Sequence, residues 1–367
     1  MTSRLLAGFA GRSMKTTALT ALALACSLAG PALAKAPAAK PKPPAAQVAA
    51  EACDRACMSG LVNGLLQSMV KHDPTSLPLA PIYRATENSH AAALPMMTAW
   101  RTITDAHPAD FVAIDVPAGQ AFFETQVSEA GNLSVLWGRI KVEQGKISEI
   151  EIYLNRSRGD HGFSFSAEKL PENLRPWMNP PADRKRATRA ELQALSDSVF
   201  SPTATYQIDI AKNCPFLEAG AHVVDPGLDD VPAPEMPAGM APRDPNGPLG
   251  CIFPPAHPTD TRARQIVIDE DLGIVVDAAI VPGYVFPYPW YGQMYSAFIP
   301  SEMKEPTIAQ QQWFERKVAQ GAGPLMQPAA ATGEAMHVLQ VYDGKLQGLQ
   351  INVHVGAPGM QSAWVKP

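Results

Sequence analysis

Five side chains stand where an acid–base pair could form: Glu87 and His90 in the first half, Glu218 and His222 in the second, and His337 near the end. A His beside a carboxylate can serve as general base or acid, because modest shifts bring its pKa near neutrality. On a regular strand Glu218 and His222 share a face but stand about 13 Å apart. A direct dyad would need Gly220 to kink the chain. His337 is in register with Leu339 and Val341 on an apolar face, so burial is expected. Glu87 and Asn88 can equally satisfy backbone groups at a strand end, and a buried His can equally be a hydrogen-bonded structural one.

The common catalytic signatures are absent. There is no Gly-x-Ser-x-Gly elbow, no His-Glu-x-x-His and no phosphate-binding Gly-x-x-x-x-Gly-Lys-Ser/Thr loop. Gly321-Ala-Gly323 lacks the strand and third glycine that a dinucleotide needs. No cofactor is expected, and the chemistry is either cofactor-independent or none. Asp269-Glu270-Asp271 could attract a cation, but between two apolar runs it reads as an exposed hairpin turn. Tyr284, Phe286, Tyr288, Trp290, Tyr291, Tyr295 and Phe298 crowd one stretch, interleaved with Pro282, Gly283, Pro287, Pro289 and Gly292. That pattern predicts neither a regular helix nor a central strand. It suits an aromatic loop that either lids a ligand site or packs over its own sheet. Tyr288, Trp290 and Tyr291, with Arg139, are the candidate ligand-binding side chains.

Elements must hold these groups. Cys57-Met58, Leu61-Val62, Leu65-Leu66 and Met69-Val70 recur every four residues, an amphipathic helix closed by His72-Asp73-Pro74. Residues 133–142 and 147–154 alternate around Glu143-Gln-Gly-Lys146, a hairpin. In the second half, Leu192, Leu195 and Val199 mark another helix, and 216–224 another strand. The segment 139–152 aligns with 338–351 at a constant offset of 199, with Gly-Lys and the apolar positions in register. This implies an internal duplication of α+β units.

The helix, the Asp-Pro break, the Thr86-Glu87-Asn88 strand and the closing Gly-Lys hairpin resemble the SnoaL-like, or nuclear-transport-factor-2-like, cone. Cys53-Asp54-Arg55, Leu77-Pro78-Leu79-Ala80, Cys214-Pro-Phe-Leu-Glu218-Ala-Gly220, residues 267–273 and residues 359–364 also resemble a family of secreted fungal and bacterial proteins filed as a domain of unknown function. The resemblance implies export and tandem cones, each a helix plus a curved antiparallel sheet, with a ligand pocket between helix and sheet. It implies no activity, and this chain departs from it by Cys57 and by Pro-rich stretches at 225–258 and 282–300. The expected organisation is a first cone at 51–165, a linker at 166–188 and a second cone at 189–364 with 225–258 inserted.

Location follows from the N-terminus and the cysteines. Arg4, Arg12 and Lys15 precede an apolar run at 18–28 and a Pro31-Ala-Leu-Ala34 site, so 1–34 reads as a signal peptide. A membrane anchor and lipidation at Cys26 are the rival readings. Residues 35–50 are almost all Ala, Pro and Lys, an extended linker. Cleavage leaves Cys53, Cys57, Cys214 and Cys251, an even set suited to disulfides in a periplasmic or secreted protein. Three connectivities are open. Cys214 and Cys251 bracket a Pro/Gly-rich loop, and Cys53 and Cys57 make a poor zinc signature. With 30 basic against 35 acidic side chains, net −5, a nucleic-acid partner is not expected, nor a membrane after processing. The expected partner is a small molecule, and the protein a monomer or homodimer. Three functions fit: a cofactor-independent lyase, isomerase or hydrolase on a hydrophobic or aromatic substrate; a non-catalytic ligand carrier; or a module that docks protein or polysaccharide.

Overall fold

Helix α1 (Arg55–Val70) starts where Asp54 accepts the Cys57 N–H at 2.8 Å, a side-chain cap. Its stripe Met58, Val62, Leu65, Leu66 and Met69 is buried. The computed structural model describes residues 53–157, 164–203, 206, 208–223, 250–253, 256–257, 262–290, 293–323 and 325–364. The expected signal segment, the 35–50 linker and most of the 225–258 insertion lie outside these residues, as does Tyr291.

The first sheet contains β1 (Leu79–Glu87), β2 (His90–Ala91), β3 (Ile103–Ala106), β4 (Phe111–Asp115), β5 (Gln120–Glu129), β6 (Asn132–Glu143) and β7 (Lys146–Asn155), with α2 (Thr98–Thr102) between β2 and β3. Its order is β2-β1-β7-β6-β5-β3, with β4 also on β5. The second contains β8 (Asp209–Ile210), β9 (Phe216–Glu218), β10 (Ala221–His222), β11 (Arg262–Asp269), β12 (Ile274–Trp290), β13 (Gln293–Pro300), β14 (Ala329–Tyr342) and β15 (Lys345–Gly356). Its order is β10-β9-β15-β14-β12-β11, with β13 on β12 and β8 on β15. Three further helices are α3 (Leu170–Met178), α4 (Arg189–Val199) and α5 (Lys304–Ala319). The fold is α+β, with two mixed sheets.

Local details recur between the sheets. The β6–β7 hairpin turns through Gln144 and Gly145 at φ 53° and 72°; the β14–β15 hairpin turns through Asp343 and Gly344 at 51° and 68°. Register shifts fall at Lys141/Val142 and at Gln340/Val341, the same 199 positions apart. The N–H groups of those two valines reach Gly119 O and Gly273 O. Asn88 N and Ala219 N bond Ile152 O and Ile351 O.

Each sheet has a helix on one face. α1 covers Ile114, Ala121, Phe123, Leu136, Ile140, Ile150 and Ile152. α4, started by a Thr188–Glu191 capping box, covers Val275, Leu339, Val341 and Leu349. The opposite faces meet through Phe111, Phe122, Trp137, Tyr153, Ile274, Val276 and Met336. At this junction Arg55 binds Asp269 at 2.5 Å and Arg189 binds Asp115 at 2.5 Å, while Asp269 accepts Ile114 N and Asp115 accepts Ile268 N.

Four expectations need correction. The sheets are not purely antiparallel, because β1 runs parallel to β7 and β9 parallel to β15. In each sheet the closing strand, β7 or β15, returns beside the early one after a long crossover through the strands between them. The 166–188 stretch is not only linker: Leu170, Leu174 and Trp177, spaced for one helix face, bury α3 in the inter-sheet core. Residues 282–298 are not an aromatic loop but the outer part of β12 and nearly all of β13. Pro287 and Pro289 lie past Val285, the last β12 residue paired to β14, so their missing N–H groups fall on an arm with one neighbour. The 216–224 run is not one strand, since Ala219 and Gly220 at φ 43° and 79° fold it into the β9–β10 hairpin.

Candidate acid–base site on the second sheet

The candidate residues separate. Glu87 accepts the N–H groups of Thr98 and Ala99 at 2.6 and 2.8 Å, capping α2, and Asn88 accepts Leu154 N. His90 lies opposite Glu87 in the β1–β2 register but is exposed. Glu218 is buried and accepts Ser164 N at 2.8 Å, while His222 is exposed. Neither Glu–His pair forms a buried dyad. Arg139 points between the sheets, not toward a helix-covered face. Glu149 and Glu151 hold it at 2.7 and 2.6 Å, and Trp364 stacks 4.4 Å from its guanidinium. Tyr288 and Trp290 lie in β12, with side chains outside the described ones. The disulfides are Cys53–Cys57 and Cys214–Cys251, the second pair buried.

His337 is buried on the α4 side of the second sheet, as its register predicts. Directly opposite it on β12 is Asp277, which is fully buried. Directly opposed strand residues point to the same face, with Cβ atoms about 5 Å apart. The row continues through Ile351 on β15 to Glu218 on β9. The corresponding row of the first sheet reads Phe123, Gly138, Ile152 and Glu87. Where one sheet carries Asp and His, the other carries a buried Phe beside a glycine. A Cβ on Gly138 would lie 2.1 Å from Glu151 O, so no side chain fits there.

Ser196 of α4 donates to Asp277 Oδ1 at 2.5 Å. Burial pushes the Asp277 carboxyl up to about 7, because the hydroxyl offsets only part of the lost hydration. Burial pushes His337 down to about 3, so its imidazole is neutral at any physiological pH. Asp277 Oδ2 and His337 Nδ1 have no hydrogen-bond partner among the described residues. Phe200, just past α4, stacks 5.3 Å from His337 and lies 4.9 Å from His257. His257 Nδ1 stands 2.9 Å from Glu302 Oε1, both groups buried. Phe298, Ala279, Val281 and Ala335 continue the surface as an apolar wall. A cleft of about 750 Å³ opens beside α4 near Leu195, Ile208 and Val341, but its lining includes neither Asp277 nor His337.

No family model and no curated protein matches this chain. Among solved structures it is similar to a de novo designed protein with a curved β-sheet, at 15% identity and TM-score 0.25 over 33% of this chain and 96% of that one. It is also similar to AclR, "a putative hydroxylase from Streptomyces galilaeus", at 11% identity and TM-score 0.24 over 38% of this chain and 95% of that one. Neither likeness bears on function.

The arrangement can move protons. A carboxyl with a pKa near the working pH is a competent base or acid, and a neutral imidazole beside it can donate or accept a hydrogen bond. No group of three or more His, Cys, Asp or Glu side chains that could hold a metal occurs among the described residues. Sequence reasoning missed Asp277, His257, Glu302 and Ser196. Asp277 left a signal, as one charge inside the apolar run Ile274–Val281. His257 and Glu302 come from connecting segments and left none.

Proposed function

We propose that the chain is two SnoaL-like cones in tandem, and that the second is a cofactor-independent acid–base site for a small hydrophobic or aromatic molecule. The reaction class is lyase, isomerase or hydrolase. The matched strand orders, register shifts, turns and reciprocal Arg–Asp contacts support a duplication. In this reading the sheet-to-sheet junction supplies, within one chain, the pairing that single cones make between subunits. A monomer then suffices.

One observation carries the functional reading. The second sheet buries Asp277 and His337, each with an unpartnered polar atom, where the first sheet has Phe123 and Gly138. An apolar row is the cheaper solution, because buried unpaired polar groups each destabilise by about 1–3 kcal/mol. Keeping them makes sense when a ligand completes their bonding. The two disulfides and the N-terminal segment support export to an oxidising compartment.

The test copies one sheet's solution into the other. Asp277→Phe with His337→Gly is expected to keep or raise the melting temperature, yet lose small molecules that copurify with the wild type in native mass spectrometry. Retention of the same molecules by the folded double variant would overturn the assignment. Wild-type ligand that emerges chemically unchanged after prolonged incubation would favour carriage over catalysis.

A further inference from the structure

Among the described residues, Asp277, His337, His257, Glu302, Gln310 and Trp313 all carry buried polar atoms without a hydrogen-bond partner. Phe200 links four of these groups: His337 and His257 both rest on its ring, Asp277 lies opposite His337, and Glu302 holds His257. The two ring distances place the imidazoles no further than about 10 Å apart. Nothing equivalent stands on the first sheet among the described residues, where α1 closes over an apolar face.

We propose that the Glu302–His257 pair is the second proton-transfer arm of the Asp277–His337 site, making it a catalyst of elimination or proton relocation in a flat, neutral molecule. This rests on the acid–base reading above and adds the reaction's second half. Asp277 carboxylate takes a proton from carbon. The freed C–H electron pair moves into the adjacent bond. It then leaves through the substrate onto a departing or receiving atom, and His257 protonates that atom from Nε2. Glu302 Oε1, 2.9 Å from Nδ1, holds the ring in place and offsets the charge of the imidazolium that donates, so it is a positioning residue. No oxidant, reductant or metal enters. Exchange with water afterwards returns a proton to His257 and removes one from Asp277. Two arms explain why the pairs approach one aromatic surface from different segments, β12–β14 for one and the connections before β11 and α5 for the other. A cation is not needed, and no Lys or Arg is buried on this face among the described residues, which disfavours carboxylate or phosphate substrates.

The probe is the ring-opening elimination of benzisoxazoles, in which a base removes the C3 proton, the N–O bond breaks and a phenolate leaves. 5-Nitrobenzisoxazole releases a stable phenolate that needs little protonation; unsubstituted benzisoxazole releases a basic one that needs an acid. The full chain is expected to turn over both above the rate of equal concentrations of acetate and imidazole. Asp277→Asn should abolish both reactions. His257→Gln and Glu302→Gln should lower kcat/KM about tenfold for the nitro compound and about a hundredfold for the parent, with Glu302→Asp intermediate. Only variants that melt no lower than the wild type are compared. Equal losses on both substrates, or none, while Asp277→Asn is inactive, would remove the second arm and leave the first. Absence of wild-type turnover above the small-molecule rate would overturn both.

Discussion

Replacing Asp277 by Asn should make the protein more stable, and by an amount that depends on pH. The folded-state pKa is pushed to about 7 from a reference of 3.8, because the carboxyl is fully buried with only the Ser196 hydroxyl to solvate it. Between these values the folded chain keeps the proton and the unfolded chain has lost it. Stability therefore falls as pH rises through the window. At 1.36 kcal/mol per unit the loss totals about 4 kcal/mol, and above about pH 7 the contribution is constant. The amide of the Asp277→Asn variant lacks this titration, retains an oxygen for the Ser196 hydroxyl and presents an N–H₂ toward His337. The wild type and Asp277→Asn should thus be close at pH 4 and separate progressively, with the variant ahead by about 4 kcal/mol at pH 8. Glu124, raised to about 8 by burial between the sheets, titrates in both proteins and cancels in the difference. The assay is denaturant unfolding at fixed pH steps with disulfides intact, reading the midpoint and its slope. A stability difference that stays constant from pH 4 to 8 would refute the buried-carboxyl argument. A variant stabilised in this way yet unable to process substrate would show that Asp277 is retained for chemistry and not for the fold.

Two other substitutions examine the frame. Gly138→Ala is expected to cost about 3 kcal/mol, since the new Cβ meets a backbone oxygen at 2.1 Å, and an unchanged thermal melt would contradict the close approach of β6 to β7. Arg189→Gln leaves the buried Asp115 without its cation and should cost about 2–3 kcal/mol, reduced from the fully buried case because Arg189 is partly exposed. Adding Asp115→Asn should recover part of that loss, and strictly additive effects in the double variant would show that the ion pair does not clamp the sheets.

Much of the architecture could be read along the chain. The α1 stripe from Met58 to Met69, the two Gly-Lys hairpins and their 199-residue offset depend on periodicity and turn chemistry, which are local properties. The placement of His337 on the apolar face is local too, because side chains alternate along a strand. The aromatic stretch was legible in principle: Tyr284, Phe286, Tyr288 and Trp290 alternate in period two, but their prolines argue against a strand until it is known that β14 has already ended.

What the chain order could not give was who stands beside whom. Asp277 and His337 are sixty residues apart and became a pair only through the register of β12 on β14. His257 and Glu302 met from two connections, and Phe200 joined both pairs. The apparent pairs Glu87–His90 and Glu218–His222 dissolved because tight turns sent each Glu inward to backbone N–H groups and each His to solvent. Sequence by itself determined the elements and their buried faces, because those follow from interactions within a few residues. Only tertiary structure decided the site, because opposing side chains across strands depends on non-local register, and the burial that perturbs Asp277 exists only once α4 closes over the sheet.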